Sequence, residues 1–306
     1  MSLRLSVLDQ SPVSEAASRA TAITSTVRLA AALDHLGYSR FWVAEHHDSP
    51  GFASSAPEIL VAAILENTER LRVGTGGVLL PRYRTGKVAE VFSVLAALHP
   101  GRVDLGVGRG GGPTAAFPDQ VAELQRLGLA SDNAAQEGPA LWLLGTSGSS
   151  AELAGTSGAA FAFGHFLNPA PAIDAITRYQ QAFVPAPGRT QPEAALAVRV
   201  VVADTDDAAQ ELADSILLWR SRKDLGHDLP FPSAQTTKNH TWSAPEAARL
   251  AAHREKLVHG TPDSVRGKLE SLAIEHNVSE IIVNTPLGSY VDRLRSYELL
   301  AKVLLD

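Results

Sequence analysis

Glu45-His46-His47-Asp48 closes the apolar run Phe41-Trp42-Val43-Ala44 and so places four titratable residues at the tip of a buried strand. Open α/β folds and barrels carry their chemistry at such tips. Histidine exchanges protons near neutrality, which suits general acid/base work. Adjacent histidines in extended chain face opposite ways, so one of the pair enters a barrel mouth, and a zinc centre lacks a convergent third ligand. Hydrogen bonding to neighbouring loops is the competing use of these side chains. Three further apolar runs have comparable tips. Val73–Pro81 carries Gly74, Gly76 and Gly77, which mark either a flat ligand lying against the backbone or a bulge that adjusts curvature. Leu105–Gly112 spaces Gly106, Gly108 and Gly111 as G-x-G-x-x-G, yet Pro113 stands where a dinucleotide-binding helix would begin. That stretch reads instead as a strand tip presenting Arg109, a permanent cation with a forked donor face for phosphate or a carbonyl. Leu143–Ser150 turns through Thr146, Ser147, Ser149 and Ser150 into a helix start. Capping by Ser147 or Ser149 is its ordinary use, but with Arg109 on the neighbouring strand the turn reads as a phosphate site. His165, just past Phe161-Ala162-Phe163, is a further candidate for the mouth.

These tips need strands behind them. Apolar runs at 3–8, 40–45, 71–80, 103–107, 141–144, 159–163, 195–203 and 280–283 alternate with helical patterns. The helices are expected at 18–36, 57–67, 85–98, from about 149, and at 170–183, 206–222, 245–259, 262–276 and 292–305. Near-continuous hydrophobic strands, each followed by a helix, predict a single (β/α)8 barrel rather than a doubly wound sheet. One domain over 1–306 is expected, with 224–244 either a mobile insertion over the mouth or a surface loop.

The 306 residues are 45% hydrophobic, enough for a large core, and contain no cysteine, which excludes disulfides and thiol chemistry. A formal charge of −6 without a basic block argues against a nucleic-acid partner. No apolar run reaches the ~18 residues of a membrane span, and Met1–Leu5 lacks a leader pattern, so a cytoplasmic protein is expected.

In this order, Trp42–His47, Arg72–Pro81, His99–Gly110 and Leu143–Ser150 resemble the bacterial luciferase-like flavin monooxygenase family over nearly the whole chain. The opening Leu5–Pro12 is similar to its small actinobacterial natural-product subgroup. The resemblance implies reduced FMN from a separate flavin reductase, O2, a C4a-peroxyflavin, oxygenation of a small organic substrate, and a homodimer formed through the first helices. It implies His46 as catalytic histidine, Gly76–Gly77 as a non-proline cis peptide beneath the flavin, and Arg109 as a flavin contact. Thr146, Ser147 and Ser150 fall on the phosphate turn, and Glu45, His47 and His165 are expected around the substrate pocket; no metal is implied. The chain departs from the family in a shortened segment after the fourth strand, between Arg109 and Thr146, and in Thr146 itself, where the luciferase subunit has an acidic residue. Deazaflavin-dependent hydride transfer on the same scaffold, or a non-catalytic flavin-binding or partner protein, are the alternatives.

Overall fold

The structure, a computed structural model, describes residues 3–112, 115–127 and 138–305. The strands are β1 (Arg4–Asp9), β2 (Arg40–Val43), β3 (Arg72–Thr75), β4 (Val78–Leu79), β5 (Val103–Gly108), β6 (Ala140–Gly145), β7 (Ala160–Phe163), β8 (Ala194–Val202), β9 (Leu257–Gly260) and β10 (Glu280–Asn284). The helices are α1 (Arg19–Leu33), α2 (Pro57–Leu65), α3 (Thr85–Leu98), α4 (Phe117–Arg126), α5 (Gly148–Thr156), α6 (Ala172–Ala182), α7 (Asp206–Asp224), α8 (Ala234–Lys238), α9 (Ala244–Arg254), α10 (Pro262–Glu275) and α11 (Tyr290–Leu304). Neighbouring strands pair in parallel, and β10 pairs with both β1 and β8, which closes the sheet into the expected barrel.

Alternation along each strand sorts the side chains. Leu196 and Val198 of β8, Phe161 and Phe163 of β7 and Ile281 and Val283 of β10 face the helices. Ala195, Ala197, Ala160, Ala162 and Ile282, with Leu8, Trp42 and Trp142, fill the interior. Four of these inward positions are alanine, so the barrel is underfilled on the β7–β8 side. At the N-terminal end of the strands the interior is charged. Arg40 donates to Asp104 (2.9 Å), Glu280 (2.9 Å) and Glu193 (2.8 Å), and Arg72 and the Trp42 indole also donate to Asp104. This plug seals the face opposite the mouth.

Two elements differ from expectation. The run at 71–80 is interrupted at Gly76–Gly77, whose peptide bond is cis, and continues as β4. The helix expected at 245–259 stops at Arg254, and Leu257–Gly260 is a strand on the outer half of β8, at Arg199–Val202. The apolar pair Leu257-Val258 gains a ladder there that a solvated helix end would not offer. The stretch after the fourth barrel strand, expected to be shortened, holds α4; residues 113, 114 and 128–137 of it lie outside the described residues. The 224–244 segment carries α8 and is pinned by Phe231, which stacks on Trp219 at 4.4 Å. Its N–H donates to the Val13 carbonyl (2.8 Å), and its own carbonyl accepts from Glu15 N–H (2.9 Å). Among the described residues no helix is long and apolar enough to cross a membrane.

Candidate active site

A cavity of about 500 Å³ opens at the C-terminal mouth, within the ~300–1,000 Å³ usual for cofactor and small-molecule sites. Gly76, Gly77, Arg109, Thr146, Ser147 and Ser150 all line it, so the six residues expected to hold a cofactor converge on one space. Its apolar wall is Leu8, Trp42, Ala162, Phe166, Ala197 and Ile282. The inward alanines leave the volume that larger side chains would occupy.

The polar wall is built by local sequence. Ser147 caps α5 and forms a reciprocal box with Ser150, but loosely: the two side-chain oxygens accept backbone N–H groups at 3.4 and 3.3 Å. The first N–H groups of α5 have no partner within the helix and carry its positive dipole end. Gly145 is required here, because a Cβ would lie 2.0 Å from the Ser150 hydroxyl. Arg109 is exposed at the cavity edge, at the start of a loop in which Gly110 and Gly111 take positive φ. Forked cation, hydroxyls and free amides on one side of an apolar slot suit a phosphate attached to a flat ring system. The glycines of the third strand serve packing too: a Cβ on Gly77 would meet the Gly106 carbonyl at 2.7 Å.

His46 lies beside this cavity without lining it. Its ring packs on Phe52 at 4.3 Å, and its Nε2 is 3.3 Å from the Gln10 amide nitrogen. With that amide donating, the imidazole proton sits on Nδ1, a buried atom without a hydrogen-bond partner. Burial first, then the charges of Lys223 and His47, push its pKa down to about 4. His46 is therefore neutral at pH 7.

Glu45, His47 and His165 do not line the cavity, contrary to expectation. Glu45 is buried and accepts from His47 Nε2, Leu79 N–H (2.8 Å) and the Tyr83 hydroxyl (2.7 Å), tying the β2 tip to the chain after β4. Alternation continues from Trp42 and Ala44, which face the interior, so Glu45 and His47 fall on the same outer side as Phe41 and Val43. His165 packs edge-on against His276 at 5.5 Å, and burial with that neighbour lowers its pKa to about 4. Gln10 and Arg199 lie near the mouth, likewise off the cavity lining, and neither was expected from sequence. Arg199 had a signal: it is the lone charge in the apolar run 194–203.

The closed parallel barrel carries its cavity at the C-terminal mouth, where (β/α)8 enzymes place their active sites. A family model described as luciferase-like monooxygenase matches residues 3–124 and 120–275, and the chain belongs to that family. It is 41% identical to the uncharacterized protein YwcH of Bacillus subtilis (strain 168), with 99% of each chain covered. It is 30% identical to the N-acetyl-S-alkylcysteine monooxygenase of the same organism, covering 99% of this chain and 98% of the relative. Among solved structures, apo-MsnO8 superposes with a TM-score of 0.87 at 36% identity over 98% of both chains. Two more distant structures share the fold. They are the oxygenating constituent of 3,6-diketocamphane monooxygenase from Pseudomonas putida in complex with FMN (TM-score 0.71, 18% identity, covering 99% of this chain and 98% of that one) and an F420-dependent secondary alcohol dehydrogenase (TM-score 0.69, 15% identity, covering 100% of both).

Proposed function

We propose that this enzyme is a flavin-dependent monooxygenase that takes reduced FMN from a separate reductase and, with O2, oxygenates a small organic substrate. The observation that carries the reading is the convergence of Arg109, Ser147, Ser150 and the Gly76–Gly77 strap on one apolar-walled cavity. Bound there, reduced FMN would supply the two electrons for O2 activation, one oxygen atom going to the substrate and the other to water. Arg109, Ser147 and Ser150 hold the phosphate, with Thr146 beside them. Trp42, Leu8, Ala162 and Ile282 keep water from the ring. His46, neutral and with Nδ1 unpartnered, holds or moves a proton at the reacting end. The segment at 224–244, anchored by Phe231, covers the His46 side of the mouth. Dependence on a reduced flavin pool sets the enzyme in the cytoplasm. A homodimer through the first helices is part of the same proposal; Ile59 of α2 and Val94 and Leu98 of α3 are exposed apolar side chains on those helices.

The test is His46→Ala. Oxygen-dependent turnover should be abolished while affinity for reduced FMN stays within a few fold. Loss of flavin binding as well, or survival of activity, refutes the assigned role. The FMN-bound and F420-dependent neighbours make deazaflavin the comparison ligand, and tighter binding of reduced F420 than of reduced FMN would replace oxygenation with hydride transfer.

A further inference from the structure

Arg199 is the inward residue that follows Ala195 and Ala197 on β8, one step closer to the mouth. Its guanidinium lies 5.0 Å over the ring of Phe166, a residue of the cavity wall. Nε donates to Asn284 Oδ1 at 3.4 Å, and Asn284 is held in that orientation because its own amide donates to the Leu8 carbonyl at 3.0 Å. Among the described residues the two terminal nitrogens of Arg199 have no protein acceptor and no carboxylate lies within ion-pair distance. The neighbouring charge is Arg220, another cation, which is itself paired with Asp224 at 2.7 Å. Burial, with Arg220 second, draws the Arg199 pKa down to about 10, so it remains a cation at neutral pH.

A half-buried cation without a counter-ion is unfavourable in a fold and is ordinarily paired. Arg40, at the other end of the same barrel, has three carboxylates. Arg199 has none, and it belongs to a different part of the mouth from the phosphate turn. That turn follows β6, and β7 lies between β6 and β8. Two strand spacings, about 10 Å, separate their backbones.

We propose that Arg199 receives an anionic group of the substrate, so that the enzyme acts on small organic carboxylic acids with an apolar body. The claim rests on the mouth being the oxygenation site. The carboxylate takes the terminal guanidinium nitrogens, with the Asn284 amide holding their fork in place. The apolar body lies along Phe166, Ala197 and Ile282 toward the cavity.

The test uses the full chain and two isosteric probes, 3-phenylpropanoate and 3-phenylpropanamide, titrated by calorimetry into wild type, Arg199→Met and Arg199→Lys. Wild type should prefer the acid by at least about tenfold, Arg199→Met should bind both probes alike, and Arg199→Lys should keep most of the preference and report on folding. Equal binding of acid and amide by wild type, no binding of either, or a preference that survives in Arg199→Met overturns the proposal. Reduced FMN is titrated in parallel. Its affinity should be unchanged in Arg199→Met; a selective loss there, with the acid preference intact, would make the flavin the anion and overturn the substrate assignment. Failure of wild type to bind FMN at all would sink the flavin reading instead, and leaves the acid preference as a separate result.

Discussion

Replacing Ser147 by alanine separates two roles that the serine could have. As a helix cap it accepts the Ser150 N–H at 3.4 Å, well beyond the usual distance near 2.9 Å. A typical cap is worth about 1 kcal/mol, and so long a bond belongs at the lower end of about 0.5 kcal/mol. In a chain of this size that lowers Tm by roughly 1–2 °C. As a phosphate ligand the hydroxyl makes a hydrogen bond to an anion, worth about 1.5–3 kcal/mol, which is about 10- to 150-fold in Kd. The ligand role therefore outweighs the cap by several fold, and riboflavin, which lacks the phosphate, isolates it. Anaerobic fluorescence titrations should show Ser147→Ala weakening reduced FMN by about 10- to 150-fold while reduced riboflavin is held as before. Scanning calorimetry should move little. Equal losses for FMN and riboflavin, or a large drop in Tm with FMN affinity intact, would show that Ser147 only caps α5 and that the phosphate lies elsewhere.

Arg40→Met leaves Asp104, Glu193 and Glu280 without their shared cation. Breaking such a buried set costs about 3–5 kcal/mol; calorimetry should show a Tm lower by roughly 10 °C, and an unchanged Tm would mean the plug is solvated. The buried histidines set the acid limit. His46 titrates near 4 in the fold against 6.5 when free. It is neutral in both states above 6.5, and below that only the unfolded chain takes up the proton. Stability should thus be complete above pH 6.5, fall between 6.5 and about 4, and level off below that, by up to about 3 kcal/mol from this residue. His165 adds to the loss in the same window. Urea titrations of wild type and His46→Gln between pH 4 and 7 check this, and identical slopes would refute it.

The barrel was legible because parallel strands covered on both faces read as near-continuous apolar runs, and Phe41–Ala44, Leu141–Leu144 and Ile281–Val283 do so. The convergence of the glycines, Arg109 and the hydroxyl turn on one cavity was legible because they sit at strand tips, and closure of the sheet brings such tips together. What stayed hidden depended on contacts beyond the strands. Glu45 and His47 share the face opposite to Trp42 and Ala44, where Glu45 accepts from Leu79 N–H and the Tyr83 hydroxyl instead of reaching the pocket. The burial of His46 comes from Phe52, which Trp219 and Phe231 back from far along the sequence. Strand β9 was hidden because four residues are too few for periodicity to separate a strand from a fraying helix.

The central claim is that the cleft over the barrel mouth binds reduced FMN through its phosphate. Anaerobic titration of the full chain with reduced FMN, reduced riboflavin and reduced F420, followed by tryptophan fluorescence, tests it most directly. The account predicts saturable one-to-one binding of FMN, tighter than riboflavin and tighter than F420. No saturation with FMN, or riboflavin bound as tightly as FMN, would contradict it.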